Sequence, residues 1–238
     1  MNDKNNVDIE GLIVNGYLEK LPNKDITYAS MLICSPQKKA DGTTNKLYHR
    51  VRFPVAPEQI QEMSAMFDKY KTPNNAESDF ISVKGQLRYD NSHQPFILAD
   101  NKNVIICNDI ANNSAVRQKL SSGKINNSIA LKGEMLKVLH KSHIAATVMI
   151  SISNGKGKQA SIPVTFDSQK NPIEWAGIVN GNISQGDSIK VSGKLDGKLY
   201  ANAPGQGLLM LTSVITENAA IKKKRLGKPE QVKPNQVK

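Results

Sequence analysis

The chain has 238 residues, 39% of them hydrophobic and 22% charged, with a net charge of +11. That composition excludes wholesale disorder, allows two ordinary hydrophobic cores and favours a polyanionic partner, nucleic acid before a membrane surface. Two cysteines, Cys34 and Cys107, are too few for a disulfide framework, and no stretch approaches the roughly 20 apolar residues of a membrane span. No basic segment followed by an apolar run opens the sequence, so a reducing cytoplasm is the expected compartment.

Residues 1–6 are polar, and five strand-like runs follow at 9–21, 26–34, 46–55, 80–89 and 96–107. Turn-rich stretches separate them, such as Leu21-Pro22-Asn23-Lys24-Asp25 and 35–45, which carries Gly42. Between the third and fourth runs the period changes. Pro57 suits a first helical turn, and Ile60, Met63, Phe67 and Tyr70 then recur as one apolar helical stripe. Residues 108–127 form a linker with a short helix around 115–120. A second series follows at 128–138, 143–153 and 159–166, a helix near 173–179, then 188–195, 198–203 and 208–215. Strand-strand-strand-helix-strand-strand is the order of the OB-fold, a five-stranded Greek-key barrel. The expected class is all-β with short helices: one barrel at 1–107, a linker at 108–127, a second barrel at 128–216 and a basic flexible tail at 217–238.

Internal repetition supports two copies of one unit. Val14-Asn15-Gly16-Tyr17-Leu18 through Ile33 lies over Leu131-Lys132-Gly133-Glu134-Met135 through Ile150 at a constant offset of 117 residues. Arg52-Phe53-Pro54-Val55 answers Ser161-Ile162-Pro163-Val164, and Val83-Lys84-Gly85-Gln86-Leu87 answers Val191-Ser192-Gly193-Lys194-Leu195.

Strand side chains alternate between faces, so comparing the copies predicts which residues face the core. On the second strand Thr27, Ala29, Met31 and Ile33 fall inside, like Ile144, Ala146, Val148 and Ile150, and Tyr28 falls outside. On the first strand Leu12, Val14 and Leu18 fall inside, Asn15 and Tyr17 outside. The third strand buries Val51 and Phe53 and exposes Tyr48, Arg50 and Arg52. The fourth buries Ile81, Val83 and Leu87 and exposes Lys84, Gln86 and Arg88. Tyrosines interleaved with cations on one outer surface suit single-stranded nucleic acid, whose bases stack on flat rings while phosphates meet cations. The second copy repeats the core pattern without the stacking residues. Its counterpart of Tyr48-His49-Arg50 falls at Gly157-Lys158-Gln159, its outward set holds Lys132, Lys190 and Lys194, and Trp175 reads as a core residue.

At the third strand, Tyr48-His49-Arg50-Val51 resembles the Trp-His-Arg-Val stretch of the bacterial single-stranded DNA-binding protein family. Val14-Asn15-Gly16-Tyr17-Leu18 and Val83-Lys84-Gly85-Gln86-Leu87 are similar to the Val-x-Gly-x-Leu stretches of that family's first and fourth strands. The resemblance implies that Tyr48 takes the place of a base-stacking tryptophan, that Arg50 lies beside it on the DNA path, and that His49, of inward parity, is structural. It also implies a basic hairpin after the second strand, here with Lys38 and Lys39, and another after the fourth, where Arg88, Tyr89, His93 and Phe96 gather. Two barrels per chain and a basic tail depart from the family pattern and favour a divergent relative encoded by a phage or other mobile element. Residues 222–238 carry seven cations against Glu230, so the tail supplies +6 and the body +5.

The expected function is sequence-independent binding of single-stranded DNA in replication, recombination or DNA transfer. The nucleic-acid-binding set is Tyr17, Tyr28, Lys38, Lys39, Tyr48, Arg50, Arg52, Lys84, Arg88, Tyr89, Phe96 and Lys132. RNA binding, and a protein-interaction module that assembles a replication or conjugation complex, are the alternatives; self-association is left open. No enzyme activity, cofactor or metal is expected. His140 and His143 lack the further ligands of a zinc site, and Gly155-Lys156-Gly157-Lys158 reads as a hairpin turn instead of a phosphate-binding loop.

Overall fold

The computed structural model describes residues 5–20, 25–39, 41–70, 78–155, 157–201 and 208–224. The first barrel comprises β1 (Asn5–Lys20), β2 (Thr27–Lys38), β3 (Thr44–Val55), a 3-10 turn (Pro57–Gln59) leading into α1 (Ile60–Lys69), β4 (Phe80–Tyr89) and β5 (Pro95–Cys107). Helix α2 (Ser114–Ser122) lies in the connection. The second barrel comprises β6 (Asn127–Lys141), β7 (Ala145–Gly155), β8 (Lys158–Asp167), α3 (Pro172–Val179), β9 (Ser188–Ala201) and β10 (Leu208–Lys222). Each set closes in the order of an OB-fold. β2-β3-β5-β4-β1 returns through the β1–β2 pairing, and β6-β7-β8-β10-β9 returns through β6–β9. The parallel contacts Val51↔Ile97 and Val164↔Val214 occupy matching places.

The alternation is realised as burial. Ala29, Met31, Ile33, Val51, Phe53, Ile81, Val83 and Leu87 fill the first core, and Ala146, Val148, Ile150, Ile162, Val164 and Phe166 the second. Helix α1 closes the first barrel by laying Phe67 against Gly16, where a Cβ would fall 2.3 Å from the ring. Trp175 on α3 packs partly buried against the second core and donates its indole N–H to the Ser142 carbonyl at 3.0 Å.

Several expectations are corrected. The β1–β2 register slips between Ile13 and Asn15, a bulge that turns Val14 out to 42% exposure and buries Ile13 fully. Leu12 and Val14 therefore do not share the inward face with Leu18. Ile144 precedes β7 and is 61% exposed. The hairpin repeat is not gapless. Gly11, whose Cβ would collide with the Cys34 carbonyl, corresponds to Gly133, whose Cβ would collide with that of Ser151. Asn5 exchanges two hydrogen bonds with the Leu87 backbone, as Asn127 does with Leu195. The first strands thus match at an offset of 122 and the second strands at 117, because the β6–β7 hairpin, strand ends and turn together, is five residues shorter. On β3 the register places Val51 opposite Met31 and Val164 opposite Val148, so the counterpart of Tyr48-His49-Arg50 is Ser161-Ile162-Pro163, not 157–159, and Arg52-Phe53-Pro54-Val55 answers 165–168, not 161–164. Run 188–195 and residues 198–201 of the next run are one strand, β9, with 202 and 203 outside the described residues, and β10 continues through Lys222, past the expected start of a flexible tail at 217. Residues 225–238 lie outside the described residues. Gly155 pairs with Lys158 and Gly157 has a φ of 73°, the geometry of a hairpin turn.

The two barrels share one ten-stranded sheet. Residues 5–9 of β1 pair antiparallel with 127–131 of β6, symmetrically about Val7↔Ile129, which relates the copies by a local two-fold axis.

Candidate nucleic-acid interface

The outward residues of β1, β2 and β3 form cross-strand rows. Tyr17 stands opposite Ser30, which stands opposite Arg52; Asn15 stands opposite Leu32, which stands opposite Arg50. Arg52 organises the first row. Its guanidinium lies 5.1 Å from the centre of the Tyr28 ring and 5.8 Å from that of Phe96, and it pairs with Glu19 at 2.6 Å. A cation flanked by two aromatic faces holds both rings in place. Arg50 pairs with Asp90 at 3.1 Å, in the β4–β5 turn, where the carboxylate also accepts from the backbone N–H groups of Ser92 and Gln94. Tyr17 is 52% exposed, whereas Tyr28, Tyr48 and Phe96 are half-buried.

Barrel two supplies the other wall. The β9–β10 hairpin reaches across to β3, and Leu199 and Met210 face Asn15, Tyr17, Leu32, Arg50 and Gln94 over a cleft of about 190 Å³. The Met210 N–H donates to the Gln94 side-chain oxygen at 3.2 Å. Gly197 permits this approach, since a Cβ there would stand 1.9 Å from the Tyr48 carbonyl oxygen. The Asp196-Gly197 pair, which read as a break between strands, is where β9 slides past β3. Sequence reasoning missed Gln94, Leu199 and Met210 as lining residues.

The remaining nominated residues are dispersed. Arg88 stands opposite Phe96 in register, but its guanidinium donates to the Ser153 carbonyl at 3.1 Å and to Gln86. Tyr89 packs against the core while its backbone exchanges two hydrogen bonds with Asn154, and burial pushes its hydroxyl pKa upward. Both therefore join the barrels. Lys38 donates to the Ser121 carbonyl at 2.6 Å beside α2, with exposed Lys39 next to it. Lys84 is exposed and pairs with Asp8 at 3.8 Å near the β1–β6 seam. Lys132 lines a separate groove on the second barrel. His49 is 2% exposed with its Nε2 unpartnered, and burial lowers its pKa from 6.5 to about 4, so the ring is neutral at pH 7. Its counterpart in barrel two is the fully buried Ile162, which agrees with a structural role.

Among the described residues no group of three or more His, Cys, Asp or Glu side chains is placed to hold a metal ion, and no helix is long and apolar enough to cross a membrane. The fold and this face define a tandem OB-fold protein with an aromatic and cationic outer surface on its first barrel. No family model matches the chain, and no curated protein matches it. Among solved structures it is similar to the single-stranded DNA binding protein from Thermus aquaticus. A deletion mutant of that protein superimposes with a TM-score of 0.58 at 15% identity, covering 96% of this chain and 98% of that one. The wild-type form gives 0.57 at 13% identity, covering 96% and 97%. The likeness is one of fold and runs through both barrels.

Proposed function

We propose that this protein binds single-stranded DNA with little sequence preference and performs no chemistry on it, covering the strand during replication, recombination or transfer in the cytoplasm. The observation that carries this reading is the Tyr17, Tyr28, Tyr48, Arg50 and Arg52 face, walled by the β9–β10 hairpin, on a fold shared with a protein named for that activity. Unpaired bases stack on the rings, and the cations meet phosphates by exchanging their partners Asp90 and Glu19 for the strand. Residues 1–107 make the main contact, with the second barrel as the wall of the cleft. Of the other nominated residues, Lys38, Lys39 and Lys84 act as peripheral phosphate contacts, and Arg88 and Tyr89 hold the barrels together.

An electrophoretic shift with labelled single-stranded and duplex oligonucleotides of equal length tests the reading. A clear preference for the single strand is expected. Equal affinity for duplex would reduce the protein to a general basic binder, and no binding to either would favour an assembly module. An RNA oligonucleotide in competition decides between the two nucleic acids.

A further inference from the structure

We propose that the groove between β6, the β7–β8 turn and the end of β10 is a second site, through which the phosphate backbone of a longer DNA strand passes after leaving the first barrel. This rests on the reading above and extends it to a surface outside the stacking face. The groove encloses about 690 Å³ and is lined by Lys132, Lys158, Lys222, Lys223 and Lys224, with Glu134 the one carboxylate among its lining residues. Asp187 lies behind it and is already engaged: Lys223 pairs with it at 3.2 Å, and the N–H groups of Ser184 and Lys224 donate to it. Burial works against its ionisation, but these three donors outweigh burial and hold its carboxyl below the ordinary range.

The internal repeat shows what such a groove does when its charge is of the other sign. In the first barrel the equivalent position is filled by the chain itself. Helix α2 and the residues after it lie there. Lys119 pairs with the buried Glu10, the Asn126 carbonyl accepts from the Glu10 N–H, and the side chain of Gln37 reaches the Ile125 carbonyl. Glu10 precedes Gly11 as Lys132 precedes Gly133, the two glycines that close on the carbonyls of Cys34 and Ser151. Where the groove receives the chain's own lysine it carries a glutamate; where none of the described residues fills it, it carries a lysine. Across the strands Glu10 faces Ser82, whereas Lys132 faces Lys190, a like-charge cross-strand pair that is unfavourable without an anion nearby. A phosphodiester backbone supplies one negative charge per nucleotide along its length, which suits a row of lysines better than a compact anion does.

The experiment uses the full chain and two DNA lengths, roughly 8 nucleotides to occupy one barrel and roughly 30 to reach both. Fluorescence anisotropy compares the native protein with Lys158→Glu/Lys222→Glu and with the milder Lys158→Gln/Lys222→Gln, with circular dichroism confirming the fold of each. The expected result is unchanged affinity for the short strand, at least tenfold weaker binding of the long strand by the glutamate variant, and a shallower salt dependence for the long strand alone. Unchanged binding of both lengths, or an equal loss for both, would overturn the second site. A native protein that binds neither length overturns the proposed function itself, a result distinct from either. The same measurement on a chain ending at Lys224 shows whether residues 225–238 compete for the groove. Long-strand affinity that falls on truncation while the lysine substitutions have no effect would assign the second contact to the tail and reject the groove.

Discussion

At the scale of single residues, the stacking face and the core make separable demands. Tyr17 is exposed and Tyr48 is half-buried on the outward parity of β3, so Tyr17→Ala and Tyr48→Ala should each weaken single-strand binding by about 1–3 kcal/mol, the usual worth of one base stack. Titration of each variant with a labelled oligonucleotide, alongside its melting curve, checks this; full affinity in both would remove stacking from the mechanism. Arg52 is placed to support binding indirectly, because its loss frees the rings of Tyr28 and Phe96 as well as one charge. His49 acts on stability. Its folded pKa of about 4 lies below the ordinary 6.5, so the unfolded chain binds more protons between those values. Stability is full above pH 6.5 and falls as the pH drops toward 4, by about 2 kcal/mol at pH 5 from this group. Replacement by isoleucine, the residue at the matching site of barrel two, should flatten that dependence in urea unfolding at pH 7 and pH 5. An equal acid loss in native and His49→Ile proteins would place the sensitivity elsewhere.

Among elements, the β9–β10 hairpin has a structural part and a functional one. Gly197→Ala would drive a methyl group into the Tyr48 carbonyl and press on His49, so it should lift the hairpin from β3, lower the melting temperature and alter binding at the Tyr17 cleft together. A Gly197→Ala protein that melted and bound like the native one would show that the hairpin does not need this close approach. The alternation of apolar residues made β4 legible to the residue, from Phe80 to Tyr89, and α1 was legible from its stripe and its leading proline. The Val14 bulge was hidden because Ile13 and Val14 are both apolar, and a run of such residues does not say which one is extra. The shortened β6–β7 hairpin was hidden because Gly16 and Gly11 both offer a glycine to align with Gly133. Asp196-Gly197 carries the residues of a tight hairpin turn, and only the neighbouring barrel shows that this glycine serves a close packing contact inside a strand. On the candidate face, parity identified the rings and cations. The ion pairs with Asp90 and Glu19 and the opposing wall of Leu199 and Met210 join residues too distant in sequence for any local pattern to mark.

For the molecule as a whole, a net charge of +11 spread over two barrels and a tail predicts a strong ionic component. Log affinity for a single strand should fall linearly with log salt, at about −0.7 per phosphate neutralised. Titrations across a salt series measure the slope, and a flat line would remove charge neutralisation from the mechanism. The five-residue seam between β1 and β6 bears on behaviour that has nothing to do with DNA. Residues 7–9 already pair with β4 on one side, the Asn5 side chain binds the Leu87 backbone beside them, and β6 takes the other side along 5–9, so neither barrel presents this strand to solvent. A chain cut within 108–126 and separated would leave each half with a row of unpaired backbone N–H and C=O groups, the surface on which unrelated strands add and precipitates grow. The covalent tie between the copies thus acts as a solubility device, each half serving as the other's permanent edge guard.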